Sequence, residues 1–330
     1  MDPLKIDTVK LSDAGDALVI IDQTLLPNEV RYLSLTATED IWEAIRALRV
    51  RGAPAIGVAA AFGAYLAAYY APDAELEGRF LAACDYLATS RPTAVNLFWA
   101  LDRMRAAYGR VKALPPADIR AALRAEAQAV MDEDIEISRS IGRYGLSLLR
   151  PGMGILTHCN AGTLATAKYG TALAPVYAAI ERGLPGLRVY CDETRPLLQG
   201  ARLSAFEMVS AGVDTTLLCD NMASSLMKSG KVDIIFVGCD RVARNGDAAN
   251  KIGTSGVAIL AAHYGIPFYV CAPSSTIDGA NASGADIPIE FRPPEEVTEL
   301  WYEKRMAPEG VGVYNPAFDV TDAGLITGII

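Results

Sequence analysis

The sequence predicts an α/β protein: a C-terminal Rossmann-like, doubly wound parallel sheet preceded by an N-terminal, mainly helical domain carrying a small antiparallel β element. Three observations predict it. Helical periodicity dominates up to about residue 145, and short, continuously apolar β runs alternate with helical stretches beyond it. Polar and reactive residues also collect just after those β runs. At 330 residues the chain is long for one compact domain, so the expected division is 1–145 and 146–330.

In the N-terminal part, ALVIIDQTLLP and RYLSLTA lie around Pro27-Asn28 and read as a hairpin. The segment TEDIWEAIRALRV opens with an Asx/Thr cap and places Ile41, Ala44, Ile45 and Leu48 on one face of a helix. Stretches around 54–70, 78–89, 93–109 and 117–149 read as further helices, and the last is long enough to link the two parts. In the C-terminal part the β runs are GILTHC, LRVYCDE, TTLLC, DIIFVGC and PFYVCA. Helical stretches separate them at Lys168–Arg182, Ala201–Ala211, Asn221–Lys228 and Asn250–Tyr264. Continuous apolar strands joined through helices indicate a parallel sheet covered on both faces.

A net charge of -9 argues against a general nucleic-acid or membrane-surface binder, because nothing offsets repulsion from phosphates. Local donors can still make an anion site on an acidic protein. The apolar stretch Ala53–Tyr70 is rich in Ala and Gly and lacks a spanning length of strong hydrophobes. The first residues, MDPLKIDTVK, contain no apolar signal core. Six dispersed cysteines without a CxxC pair point to a reduced, cytoplasmic setting. With two histidines, His158 and His263, a His-based metal site is not expected. GxGxxG is absent after the first strand and no GxxxxGK[ST] loop occurs, which disfavours a nicotinamide or P-loop enzyme.

In a doubly wound sheet the ligand lies beyond the carboxyl ends of the strands. There the sequence places Cys159-Asn160-Ala161-Gly162-Thr163, Asp192 to Arg195 with Gln199-Gly200-Ala201-Arg202, and Asp240-Arg241 with Asn250-Lys251. Cys159 is open to two readings: a buried structural thiol, or a reactive one facing a helix N-terminus that favours thiolate. Asp240 follows IIFVG and is either an ion pair with Arg241, a helix cap, or an acid/base whose apolar surroundings tune it. Asp192 to Arg195 reads equally as a solvated loop, and Lys251, at a predicted helix start, as a solvated residue. His158 beside Cys159 is expected in the core, since adjacent strand residues point to opposite faces. Arg51-Gly52-Ala53-Pro54 puts an Arg and a Gly before Pro at a helix start, a good anion site; Ser90-Arg91-Pro92-Thr93 repeats the pattern.

Taken in order, RGAPAIGVAAAFG (51–63), SRPTAVNLFWA (90–100), THCNAGTLAT (157–166), DETRPLLQGARLSAFE (192–207), DNMAS (220–224), GCDRVARNGDAANKIGT (238–254) and NPAFDVT (315–321) resemble the methylthioribose-1-phosphate isomerase family. Relatives of that family include ribose-1,5-bisphosphate isomerases and regulatory subunits of the eukaryotic translation initiation exchange factor. The resemblance covers nearly the whole chain. It implies a cytoplasmic homodimer of the fold above, acting without a cofactor or metal in methionine salvage. It further implies a sugar-phosphate substrate and neither nucleic-acid nor membrane partners. Cys159 and Asp240 become the implied catalytic residues; Arg51, Gly52, Ala53, Arg91, Gln199, Asn250 and Lys251 become the implied substrate contacts. Cys239, Arg244 and Thr163 depart from the family's usual small residues. These departures bear on the 5-substituent, which makes 5-deoxyribose 1-phosphate the alternative to 5-methylthioribose 1-phosphate. From another class, a non-catalytic translation-factor-like protein is the competing reading, and the presence of both Cys159 and Asp240 counts against it.

For such a substrate the anomeric carbon is locked, so ring opening comes first and needs a proton at the ring oxygen, assigned to Asp240. Hydrogen then moves from C2 to C1. It goes either through an enediolate with Cys159 as base, or as a hydride in a water-poor pocket where Cys159 assists.

Overall fold

The computed structural model describes residues 6–91 and 94–330. The chain forms two compact units: one holds residues up to Ser140 together with Gly162–Gly170, the other Ile141–Ala161 and Thr171–Ile330.

In the first unit the expected hairpin is part of a three-stranded antiparallel sheet, β1 (Val9–Leu11), β2 (Leu18–Ile21) and β3 (Tyr32–Leu35), with β2 in the middle. Five helices follow: α1 (Thr38–Arg46), α2 (Ala53–Tyr70), α3 (Leu76–Ala88), α4 (Val95–Val111) and α5 (Pro116–Leu146). The expected Asx/Thr cap of α1 is not made. Ala37 holds the cap position without a side-chain bond, and Glu39 and Asp40 in the first turn complement the helix dipole instead.

Ala and Gly fill α2 because it is enclosed by its neighbours. A Cβ on Gly57 would stand 2.9 Å from the Asn96 carbonyl oxygen of α4, so only a bare backbone allows that approach. Length and apolar content alone would let α2 cross a membrane, yet 72% of it is buried inside the protein. Helix α5 runs past Ser140 and so contributes to both units.

The second unit is built on a six-stranded, wholly parallel sheet: β4 (Gly154–Thr157), β5 (Arg188–Asp192), β6 (Asp214–Leu218), β7 (Ile234–Val237), β10 (Phe268–Val270) and β13 (Gly328–Ile329). Their spatial order is β13-β10-β7-β4-β5-β6. Leu156 of β4 registers with Tyr190 on one side and with Ile235 on the other. All three side chains belong to one core with Val257, Ala258 and Phe268. Each fully buried Leu, Ile or Phe there contributes roughly 1.5–3 kcal/mol. The crossover helices are α6 (Ala174–Glu181), α7 (Ala205–Ser210), α8 (Ala223–Lys228) and α9 (Thr254–Tyr264).

Three expectations need correcting here. The helix expected from Lys168 begins only at Ala174, and the turn after Cys159 leads into a short 3-10 turn, Thr163–Ala165. No α-helix N-terminus therefore follows the cysteine directly. The helix expected from Asn250 starts at Thr254. Asn250 and Lys251 lie instead on a strand of a second sheet that the sequence did not announce, comprising β8 (Arg241–Ala243), β9 (Ala248–Lys251), β11 (Ile277–Asp278) and β12 (Phe318–Thr321), ordered β11-β8-β9-β12. Small and polar residues make these strands, and β9 finds its partner β12 far along the chain.

Within the first unit, the Asp134 carboxylate on α5 accepts the Ala167 N–H at 2.6 Å. Burial pushes that carboxyl up to about 7 from an ordinary 3.8, although the Ala167 bond pulls the other way. An acid whose folded pKa is raised holds its proton more tightly in the native state. Its contribution is therefore full below about pH 4 and is lost as pH rises through about 7. Asp134→Asn keeps an acceptor for Ala167 without the titration. Relative to wild type, its unfolding free energy should rise between pH 4 and pH 8 by a few kcal/mol, about 4 at most, in urea titrations. A pH-independent difference would refute the assignment.

Candidate active site

Strand β4 is hydrogen-bonded to β5 on one side and to β7 on the other, so the chain winds away from it in both directions. This reversal is the topological switch point, where the crevice beyond the strand ends forms in such sheets. Cys159 follows the end of β4 and Asp240 follows the end of β7. The two turns are pressed together. A Cβ on Gly238 would stand 2.6 Å from the Ala161 Cβ, so glycine is needed for the close approach.

Cys159 has φ 68°, the left-handed region that non-glycine residues seldom adopt, and is 9% exposed. Its N–H donates to Thr194 Oγ1 at 2.7 Å and its carbonyl accepts from Ser204 Oγ at 2.7 Å. Asn160 Nδ2 donates to Ser204 Oγ (3.1 Å) and to Glu207 Oε1 (2.8 Å). Tyr177 donates its hydroxyl to Glu207 Oε2 at 2.6 Å. Ser204 ends a π-helical turn, Gly200–Ser204, ahead of α7; such turns recur near functional sites.

The other cysteines sit in different surroundings. Burial pushes the Cys84 thiol up to about 12 and raises those of Cys191 and Cys271 as well. Burial and the adjacent Asp240 charge raise Cys239, and the Glu193 charge raises the exposed Cys219. Each of these shifts disfavours the thiolate.

Asp240 is half-buried and donates its N–H to the Ala249 carbonyl at 2.9 Å. Arg241, its sequence neighbour, reaches Asp278 at 3.2 Å. Gln199 is 6% exposed, and its Oε1 has no hydrogen-bond partner among the described residues. A buried acceptor left open in this way suits a ligand hydroxyl. On β9, Asn250 Nδ2 donates to Thr254 Oγ1 at 3.1 Å, and Lys251 Nζ stands 4.7 Å from the centre of the Phe318 ring.

Arg51, Gly52, Ala53 and Arg91 belong to the first unit. Arg51 is buried, and its Nε donates to Gln23 Oε1 at 3.2 Å; Gln23 Nε2 in turn donates to the Leu164 carbonyl at 2.8 Å. Gly52 precedes α2 with φ 90°, and a Cβ there would lie 2.3 Å from the Ala165 carbonyl oxygen. Ala53 opens α2, Pro54 sits in its first turn, and no acidic residue occupies that turn. An N-terminus with an Arg before it and no carboxylate to neutralise it favours an anion. Arg91 is half-buried; the next two residues of its segment, Pro92 and Thr93, lie outside the described residues.

His158, expected in the core, is 1% exposed and both ring nitrogens are engaged, Nδ1 with Asp192 Oδ2 and Nε2 with the Ile252 carbonyl, each at 2.9 Å. A carbonyl only accepts, so Nε2 carries a hydrogen. Burial disfavours an imidazolium, but Asp192 and the Ile252 carbonyl outweigh it and raise the imidazole above its usual 6.5. Held at both ends, the ring supports the strand end rather than acting as a free base.

Asp192 and Thr194 are fully buried, so the solvated-loop reading does not hold for them. Among the described residues His158, Asp192 and Asp220 bring ligand-type atoms within 4.8 Å of one another. Asp220, however, accepts the Thr194 and Arg195 N–H groups, one on each oxygen at 2.7 Å, and His158 is committed as above. The trio is organised by hydrogen bonds; only Asp192 Oδ1 lacks a partner among the described residues.

Sequence reading missed Gln23, Ser204 and the Asn160–Glu207–Tyr177 chain. A short polar run, Asp22-Gln23-Thr24, set between the apolar LVII and LLP, is the signal that was available for Gln23. Asp192→Ala leaves the buried His158 Nδ1 without its hydrogen-bond partner and should cost about 1–3 kcal/mol, measured as a lower urea midpoint. A cost well under about 1 kcal/mol would mean that this bond does not hold the ring.

Comparison with known proteins places these residues in context. The profile of the Initiation factor 2 subunit family matches residues 49–330. The methylthioribose-1-phosphate isomerase of Symbiobacterium thermophilum is 68% identical, over 99% of this chain and 92% of that one. The 5-deoxyribose 1-phosphate isomerase of Petrotoga mobilis is 58% identical, over 98% and 93% respectively. Among solved structures, the crystal structure of 5-methylthioribose 1-phosphate isomerase from Pyrococcus horikoshii OT3 superposes with a TM-score of 0.93 at 44% identity, covering 99% of this chain and 92% of that one.

Proposed function

The chain belongs to the Initiation factor 2 subunit family and stands among its sugar-phosphate isomerases, and on that premise we propose that it converts 5-methylthioribose 1-phosphate to 5-methylthioribulose 1-phosphate. The observation that carries the reading is the placement of Cys159 and Asp240 after β4 and β7, the two strands of the switch point. 5-Deoxyribose 1-phosphate is the second substrate reading, favoured by the 58% identity to an isomerase of that name.

In this reading Asp240 delivers a proton to the ring oxygen, the ring C1–O bond breaks to leave an oxocarbenium at C1 that keeps its phosphate, hydrogen passes from C2 to C1 beside Cys159, and the C2 hydroxyl returns its proton to Asp240 as the C2 carbonyl forms. Arg51, Arg91 and Lys251, with the N–H groups at Gly52 and Ala53, hold the phosphate and keep it from leaving. Gln199 and Asn250 bind sugar hydroxyls; the open Oε1 of Gln199 supports that role. We also propose a cytoplasmic homodimer within methionine salvage, with a boundary near residue 145 separating the substrate-binding helical part from the catalytic part.

Assay of 5-methylthio-, 5-deoxy- and 5-phospho-ribose 1-phosphates for ketose product should show turnover of one of the first two. No turnover of any would favour the translation-factor-like alternative. Cys159→Ser and Asp240→Asn should each lower kcat by about 100-fold or more with KM little changed. Near-normal kcat in either variant would remove that residue from the chemistry. Deuterium at C2 separates the two routes: retention at C1 in a single turnover supports hydride transfer, and washout into solvent supports an enediolate.

A further inference from the structure

We propose that the hydroxyls of Thr194 and Ser204 are positioning groups that hold Cys159 in its left-handed backbone conformation and thereby aim its thiol. The inference rests on the reading that Cys159 acts at the reacting carbons, and extends it to residues that act through the Cys159 backbone.

The geometry is over-determined. Cys159 follows β4 at φ 68°, where a β-carbon is disfavoured, so something must offset the strain. Its two backbone polar groups are taken by two side-chain hydroxyls, Thr194 on the N–H and Ser204 on the carbonyl, both at 2.7 Å. Counting protons fixes the orientation of each. The one hydroxyl proton of Thr194 goes to the Asp192 carbonyl at 3.0 Å, which leaves a lone pair for the Cys159 N–H. The proton of Ser204 goes to the Cys159 carbonyl, and its lone pair receives Asn160 Nδ2 at 3.1 Å. Neither hydroxyl can turn without losing two bonds.

Each hydroxyl is itself anchored. Thr194 is fully buried, sits at φ 64° and donates its own N–H to Asp220 Oδ1 at 2.7 Å. Ser204, also fully buried, is set by the π-helical turn Gly200–Ser204, which shifts the register of the chain entering α7. Two separate elements therefore converge on one residue's backbone. A cysteine with only a packing role would need neither.

Thr194→Val preserves shape and burial and removes the hydroxyl; Thr194→Ser keeps it. With 5-methylthioribose 1-phosphate and its 5-deoxy analogue, Thr194→Val should lower kcat about tenfold to hundredfold while KM stays within about twofold. Thr194→Ser should recover most of the loss. Alkylation of the Cys159 peptide by iodoacetamide, followed by mass spectrometry, should slow in Val and not in Ser. Ser204→Ala supplies the same test from the carbonyl side should the Val variant not fold. The proposal is overturned if Thr194→Val keeps kcat within about twofold of wild type, or if Ser and Val lose activity equally and in proportion to folded protein. Cys159→Ser, run alongside, separates the two ideas. Full activity there defeats the catalytic reading itself, whereas an inactive Cys159→Ser with an active Thr194→Val defeats the positioning role alone.

Discussion

Pairing of β4 on both edges is the constraint from which the rest of the second unit follows. With β5 on one side and β7 on the other, right-handed crossovers must leave β4 in opposite directions, and the chain cannot cover the ends of both strands with the same helix. The loops after β4 and β7 are thus left side by side, and the contact between Gly238 and Ala161 closes the space between them. Cys159 and Asp240 thus follow the ends of two neighbouring strands, a placement that topology sets before any side chain is specified.

Placing such groups at an apolar sheet edge creates a debt of buried polarity, and it is met by pairing. His158 is satisfied between Asp192 and the Ile252 carbonyl; Glu207 takes Asn160 and Tyr177; Asp220 takes two successive backbone N–H groups. A hydrogen bond of this kind is worth about 1 kcal/mol net, whereas a broken one strands a buried group at about 1–3 kcal/mol. These bonds therefore act chiefly against alternatives: they make other arrangements of the loops costly. Among the described residues near the switch point, Thr157 Oγ1, Asp192 Oδ1 and Gln199 Oε1 are exceptions, and the Gln199 amide is the one with a proposed ligand to meet it.

How much of this could be read from the sequence depends on how local its cause is. The parallel sheet was legible because GILT and IIFV are continuous apolar runs, and strands buried on both faces need nothing else. Helix α2 was legible from its Ala and Gly content and Pro54. The second sheet was not: AANK of β9 has no strand-forming signature, and its partner FDVT of β12 makes it a strand from a distance. The order of motifs pointed to Cys159 and Asp240, while the physical reading alone left each with a structural alternative. Thr194 lay inside a polar run, DETR, that reads equally well as a solvated loop. Its burial is decided by Asp220, which follows a different strand, and a single segment cannot show that.

The missing helix behind Cys159 changes how its chemistry must be understood. A helix N-terminus would have lowered the thiol pKa through the macrodipole, the activation that the CNAGT turn suggested. The chain instead makes a 3-10 turn at Thr163–Ala165, and the next α-helix starts only at Ala174. Without that helix, the position is still marked by a left-handed backbone, hydroxyls on both of its peptide groups, and near-complete burial. Burial excludes water and strengthens whatever dipoles face a bound substrate. On the proposed reading, placement of the sulfur is the property that the surrounding hydrogen bonds secure.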